Sequence, residues 1–344
     1  MRFGRPGRRG WRSAGRPLRA GLAGLVLVVL VGILAPWIAP YDPLEQLDAA
    51  SGRHRPPMTA MAAVRLAPEG WQLAERVERV PGGLVIERLG ESRVESAANV
   101  LNLTADGVAD RRLFILGSDR FGRDVLSRIV HGARISLLIG FLAVAIALVI
   151  GVTVGALAAL GPRLVDAVLM RVVDGILAFP ALLVLIVLVA FFATGTGTLI
   201  VLLGCVAWLG IARLTRAELL SLRERDFVIA ARGLGASPWR VFFRHLLPNA
   251  FPPVLLQAVL IVGGLILTES TLSFLGFGVQ PPAPSWGNMI ADGRHHLTRA
   301  WWEGVFPGLA LVGTVIALNV ATDGLRDLLD PRHDAGRTPT VETR

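Results

Sequence analysis

Residues 137–160 read LLIGFLAVAIALVIGVTVGALAAL, 24 residues without one charged side chain. A helix rising 1.5 Å per residue covers about 36 Å with such a run, and the hydrocarbon core of a bilayer is about 30 Å thick. The stretch therefore reads as a membrane-spanning helix, and it decides the fold class. Five other apolar runs have the same character: Ala20–Ala39, Val172–Ala193, Leu199–Leu214, Phe251–Phe277 and Gly304–Ala321. Asp174 and Glu269 are the acids they contain. The expectation is an all-α integral membrane protein with six transmembrane helices and a large outer loop between the first and second.

Composition agrees. Hydrophobic residues make up 53% of the chain and charged ones 18%, against roughly 25% charged in soluble domains. The net charge of +9 comes from Arg alone, since the sequence has no Lys. Arg in such excess could bind nucleic acid, or could crowd the cytoplasmic loops of a membrane protein. Its distribution decides for the membrane. Arg2, Arg5, Arg8, Arg9, Arg12, Arg16 and Arg19 precede the first run with no acid among them. A signal peptide starts in a similar way, but its apolar core is shorter than a span, so residues 1–19 read as a basic cytoplasmic arm and 20–39 as an uncleaved helix. The loop after the fourth run carries Arg216, Arg223, Arg225, Arg232, Arg240 and Arg244 against Glu218, Glu224 and Asp226. The loops that would lie outside, Thr194–Thr198 and Gly278–Glu303, hold few charges, so both termini are expected in the cytoplasm, including the tail 333–344. No single basic face of a soluble domain is visible, so no nucleic acid is expected.

Residues 40–115 form the outer loop. Over Tyr41–Arg134 the chain has 13 Arg and 13 acids, without the positive excess of an inside loop. Its middle lacks a strong period, and strands such as Leu84–Ile86 are not firmly indicated. Trp301 and Trp302, ahead of the last run, suit an interfacial belt. Cys205, the only cysteine, reads as a small buried hydrophobe. His295-His296 lacks a third metal ligand and reads as loop. Glu269 is either pore-lining or a structural hydrogen-bonding residue. Asp174, near Arg171, reads as an anchor at the inner interface.

The segment Asp226–Pro248 carries the most information. Phe227, Ala230, Ala231 and Leu234 recur at helical spacing, Gly235 suits a helix stop, and Ser237 with Pro238 suits a helix start. Val241, Phe242 and Leu246 give the second helix an apolar stripe. This helix–turn–helix resembles the "EAA" loop of importer permeases of ATP-binding-cassette (ABC) systems, whose pattern is Glu-Ala-Ala, three residues, Gly, nine residues, Ile, one residue, Leu-Pro. Ala230, Ala231, Gly235, Leu247 and Pro248 match, whereas Ile229 stands for the Glu and His245 for the Ile. Leu116-Gly-Ser-Asp119, Gly122-Arg-Asp124, Ser127-Arg128, Gly132, Arg134 and Ser136-Leu137 resemble the segment before the second span in the dipeptide/oligopeptide/nickel permease family, with Ser118 in place of Thr. On a helix, Phe121, Val125, Ile129 and Val130 would share one face, with Asp124 and Arg128 on another, as in an amphipathic helix on the outer membrane surface. Thr268–Gly278, Pro281-Pro282, Ser285-Trp-Gly287 and Asp323–Arg332 are similar to later signatures of the family, and Ala35–Pro43 to its C-type subunit.

The resemblance covers residues 21–43 and 116–332, the permease core, and leaves 47–113 as an atypical insert. It implies a binding-protein-dependent importer of peptides in the bacterial cytoplasmic membrane. It also implies a second permease subunit, two cytoplasmic ATPase subunits that bind ATP and Mg, and a periplasmic substrate-binding protein. Relatives carry nickel, glutathione or sugars. The implied coupling residues are Ala230, Ala231, Arg232, Gly235, Ser237, Pro238, Leu247 and Pro248. No Walker-type phosphate loop is present, so ATP hydrolysis is assigned to partner chains and no enzyme activity or cofactor to this one. A stand-alone secondary transporter would need more intramembrane charges, and an intramembrane enzyme would need a paired catalytic motif that the spans lack.

Overall fold

A computed structural model describes residues 16–81, 83–104, 107–108, 110–192 and 195–329. Most of the basic arm, the last residue of the third apolar run with the first of the loop after it (193 and 194), and the tail from 330 lie outside them. The chain divides into two compact units, one made of residues up to Val28, Leu137–Glu269 and those from Val312, the other of Val29–Ser136 and Ser270–Leu311.

The helices are α1 (Arg16–Ile33), α2 (Ala35–Ile38), α3 (Ala49–Gly52), α4 (Val125–Leu160), α5 (Arg163–Leu177), α6 (Ala181–Phe191), α7 (Thr196–Arg223), α8 (Asp226–Gly233), α9 (Pro238–Val241), α10 (Leu247–Phe274), α11 (Trp286–Gly293) and α12 (Trp302–Leu329). Four stretches are long and apolar enough to cross a membrane: Val125–Leu160, Thr196–Arg223, Pro238–Phe274 and Trp302–Arg326. The third apolar run is not one straight helix. Pro180 stands at the N-cap of α6, and α5 and α6 meet at 88°. The fourth run extends past Leu214 to Arg223, so part of the expected loop is helix.

Small residues set the helix packing in the first unit. Gly151 and Gly155, four apart on α4, lie against α7: a Cβ on the first would stand 2.7 Å from Ile211 Cβ, and one on the second 2.6 Å from the Ala212 carbonyl oxygen. Gly24 of α1 meets Ala317 of α12 in the same way. Lipid tails give helices no hydrophobic reason to associate, so close backbone approach and dispersion carry the packing.

The expected all-α architecture fails between residues 59 and 114. Eight strands occupy that stretch: β1 (Thr59–Leu66), β2 (Gly70–Ala74), β3 (Arg76–Val80), β4 (Gly83–Arg88), β5 (Glu91–Ser96), β6 (Leu103–Thr104), β7 (Gly107–Val108) and β8 (Asp110–Phe114). They form antiparallel sheets ordered β2-β1-β8, β3-β4-β5 and β6-β7. β1 buries both faces, Met61 and Ala63 with Leu73 and Phe114, and Val64 and Leu66 with Leu84, Ile86 and Val100. A strand buried on both sides shows no polar–apolar alternation, which hid it from a reading by period. Asp48 ties this part together. Its carboxylate caps α3 at Ala50 and Ser51, accepts from the Leu73 amide at 3.1 Å and pairs with Arg88 at 2.9 Å.

The segment before α4 also departs from expectation. The helix starts at Val125, not at Leu116, and Asp119, Arg123, Asp124 and Arg128 are buried instead of facing water. Asp119 accepts from the Arg123 side chain at 2.7 Å and from the amides of Phe121 and Arg123. Asp124 caps α4 by accepting from the Ser127 amide and hydroxyl, each at 2.7 Å. Arg120 pairs with Asp292 at 3.1 Å. Trp302 is buried, its indole donating to the Ser118 carbonyl at 3.1 Å, so only Trp301 keeps the exposure of an interfacial residue. The Nδ1 of His54 lies 2.5 Å from Glu303, and its ring stands 4.4 Å from that of His296. Burial lowers the pKa of His54 below its usual value, and His296, Arg53 and Arg299 lower it further against the opposing pull of Asp119. His296 is lowered likewise by burial and by Arg53, Arg120 and His295, against Asp292.

Two predictions follow from these contacts. Gly155→Leu is expected to lower stability by about 1–3 kcal/mol by overpacking α4 against α7, whereas Gly210→Ala, which meets no atom within 4 Å, is expected to be tolerated; thermal melts in detergent check both. Both histidines bind a proton less readily in the folded chain than in the unfolded one, so each withdraws stability as the pH falls through about 6.5. His54→Asn is therefore expected to lose less stability than the parent between pH 7.5 and pH 5.5, in melts followed by tryptophan fluorescence.

Candidate functional site: a capped hairpin with an outward aromatic face

The chain leaves α7 at Arg223, makes α8, turns, makes α9 and runs into α10 through a π-helical segment, Phe242–Leu246. The turn is closed at both ends. Leu234 ends α8, and Gly235 follows at φ +78°, a conformation that a Cβ would strain. The Ala236 amide donates to the Ala231 carbonyl at 3.1 Å and the Gly235 amide to the Arg232 carbonyl at 3.0 Å, the paired bonds of a Schellman ending. Ser237 caps α9, its hydroxyl accepting from the Arg240 amide at 3.3 Å, with Pro238 at the first helical position, where no N–H is needed. Two short helices are thereby held at a fixed angle.

The inner side is apolar and fully buried. Val228, Val241, Leu246 and Ala250 pack with Leu219 of α7 and Ala159 at the end of α4. Arg223 donates to the Ala159 carbonyl at 2.6 Å and closes the same junction. Of the residues expected to form the α8 stripe, Phe227, Ala230 and Leu234 face outward and Ala231 is half-buried; the inward contact is Val228.

The outer side is large, apolar and basic. Leu234 is 89% exposed and Trp239 72%, with Phe243 and Ile229 also open. Trp239 and Phe243 stack with ring centroids 5.8 Å apart, and Phe242 meets Phe243 edge-on at 4.8 Å. Arg225, Arg232, Arg240 and Arg244 are exposed around them. Sequence reasoning missed this aromatic pair, although aromatic residues four apart on a capped helix were the signal for it. Gly235, Ser237, Pro238 and Pro248 are exposed and Leu247 is half-buried. The Ile229 side chain projects where the family pattern has an acid, and the His245 carbonyl accepts from Asn249 at 2.5 Å.

The remaining singled-out residues lie elsewhere. Glu269 is wholly buried on α10. Asp174 stands 3.9 Å from Arg213, both largely exposed. His295 accepts from the Arg294 side chain at 3.0 Å. Cys205 is exposed, contrary to the expected burial. Among the described residues no three His, Cys, Asp or Glu side chains are grouped to hold a metal.

The family pattern described as binding-protein-dependent transport system inner membrane component matches residues 147–334, more than half of the chain. The chain belongs to this family. The N-terminal transmembrane domain of oligopeptide transport permease C matches residues 17–57. The di/tripeptide transport system permease protein DppC of Pseudomonas aeruginosa is 36% identical over 91% of this chain and 87% of its own length. A putative peptide permease protein of Brucella ovis is 43% identical over 68% of this chain and 78% of its own. The dipeptide transport system permease protein DppC of Alkalihalophilus pseudofirmus is 41% identical over 63% of this chain and 71% of its own. Among solved structures, an inward-facing conformation of the MetNI methionine ABC transporter matches with a TM-score of 0.51 at 21% identity, over 59% of this chain and 97% of that one; at that identity the likeness speaks to fold alone.

This binding-protein-dependent permease therefore carries, at the foot of two of its long helices, a rigid hairpin anchored on one side and open on the other. A rigid aromatic and arginine surface on a closed turn has the composition of a protein-binding hot spot.

Proposed function

We propose that the chain is one half of the translocation pathway of an ABC importer that moves peptides across the bacterial cytoplasmic membrane by alternating access. The observation that carries this reading is the hairpin, whose buried side is fused to α4, α7 and α10 and whose open side offers Leu234, Trp239 and Phe243. The names of the relatives support peptide as cargo. In this reading the hairpin docks in a cytoplasmic ATPase subunit, and closure of two such subunits around ATP and Mg swings it as a rigid lever. Ala230, Ala231, Arg232, Gly235, Ser237, Pro238, Leu247 and Pro248 keep the lever's shape or meet the partner.

The reading places six spans across the membrane, counting α1 and the bent pair α5–α6 as one each. The Arg bias then puts both termini and the hairpin in the cytoplasm. Residues 40–115 stand outside with the strand-bearing insert, where they meet a substrate-binding protein, and residues 116–332 form the permease core beside a second permease subunit. The complete burial of Glu269 favours a structural hydrogen-bonding role over a pore-lining one.

Replacing Trp239 and Phe243 together with Ala is expected to weaken ATPase docking about thirty-fold, on the scale of a two-kilocalorie hot spot. Gly235→Val is expected to abolish peptide-stimulated ATP hydrolysis by straining the turn. Both variants should still insert in the membrane. Co-purification of ATPase subunits and uptake in inside-out or whole-cell assays provide the readout, and normal uptake by either variant would refute the lever.

A further inference from the structure

Helices α5 and α7 meet at a second contact outside the hairpin. Arg216 of α7 donates to Asp166 of α5 twice, Nε to Oδ1 at 2.5 Å and Nη2 to Oδ2 at 2.6 Å. This is the two-bond guanidinium–carboxylate fork, which fixes orientation as well as distance. Two turns further along α5, Asp174 lies 3.9 Å from Arg213, a looser pair on the same two helices. Arg216 sits one turn above Leu219, and Leu219 is part of the buried core that holds Val228 and Val241 of the hairpin.

Little else holds α5 in place. It buries only Val173 among its residues, while Leu164, Val168 and Val172 are exposed. Beyond Leu177 the chain turns through 88° into α6, a helix of 11 residues, about 16 Å long and too short to cross a bilayer by itself. A helix with so small a buried face follows its neighbour only if something stiff joins them. The fork is that joint, and α7 connects it directly to the hairpin.

We propose that the Asp166–Arg216 fork is the link through which movement of the hairpin is handed to the α5–α6 elbow, which makes these two side chains positioning residues for transport. The inference rests on the coupling reading above and extends it from the docking surface to the moving helices. The pair is partly exposed, with side chains 25% and 32% accessible, so it adds little to folding stability. Its removal therefore leaves the fold intact and takes away only the transmission.

The test uses the whole transporter with its ATPase and binding-protein partners in nanodiscs and proteoliposomes. Asp166→Asn is expected to cut uptake of labelled di-alanine and tri-alanine about five-fold or more, a typical coupling free energy, while ATPase subunits stay bound and ATP hydrolysis persists. Arg216→Lys keeps the charge but cannot make the fork, and should lose uptake likewise. The exchange Asp166→Arg with Arg216→Asp rebuilds the fork in reverse and should restore uptake. Independently of cargo, spin labels at Leu183→Cys and Asp226→Cys in a Cys205→Ser background should give one narrow distance in the parent and a broad distribution in Asp166→Asn. Normal uptake and a narrow distance in the single variants would overturn the link and leave the hairpin's role untouched. Failure of the exchanged pair to restore uptake would also overturn it. If hairpin variants such as Gly235→Val transport normally, the coupling reading itself fails, whatever the fork does.

Discussion

A peptide group in hydrocarbon has no water to bond, and each unpaired N–H or C=O costs several kilocalories per mole. This constraint explains why the apolar two-thirds of the chain is helix and little else, and where its breaks fall. The helix from Val125 runs 36 residues without interruption. Pro252 and Pro253 lie inside α10 and Pro307 inside α12, where neighbouring bonds absorb the missing donors. Among the described spans, the bend of 88° falls at Pro180. The strands, with exposed edges that lipid would not tolerate, are confined to residues 59–114.

The hairpin obeys a different rule. It exposes apolar surface that water disfavours, and it does so from a closed frame: a left-handed glycine, a capping serine and a proline leave the turn few other conformations. A flexible loop would collapse its aromatic side chains onto the nearest apolar surface. Here Val228 and Val241 already fill that surface, and Trp239 and Phe243 remain outside. Exposed aromatics on a rigid base lose little entropy on binding, which is the condition for a tight contact from a small area. The π-helical segment Phe242–Leu246 sits where the hairpin joins α10, a place where an added residue per turn re-aims the helix without breaking its bonds.

What could be read from the sequence was local. Gly235, Ser237 and Pro238 act through their own backbone preferences, so the shape of the hairpin was visible in a few adjacent residues. The outward direction of Phe227 and Leu234 was not, because helical spacing says which residues share a face and not which face is buried. The charges of Asp119–Arg128 were misread for the same reason. The turn that buries them is held from far off in sequence, by Asp292 on Arg120, by the Trp302 indole on the Ser118 carbonyl and by the His54 amide on the Asp119 carbonyl, and no periodicity reports such contacts. The insert escaped because β1 is buried on both faces, while β5, ESRVES, is polar on nearly every position. Neither alternates, and alternation was the signal sought.

The two kinds of ion pair in this chain separate structure from motion. Arg123 and Arg128 are sealed around Asp119, where desolvation costs as much as the attraction returns and losing one partner strands a buried charge. Such a cluster fixes one arrangement and resists change. The Arg216–Asp166 fork keeps part of its surface in solvent and is worth little to folding. Its geometry is nonetheless as strict as that of the buried pairs. A contact that is strict in direction but cheap to keep can ride on a moving helix through many cycles without being torn from a low-energy well. The difference in burial between the two clusters is therefore the physical reason to assign the rigid frame to one and the transmission of movement to the other.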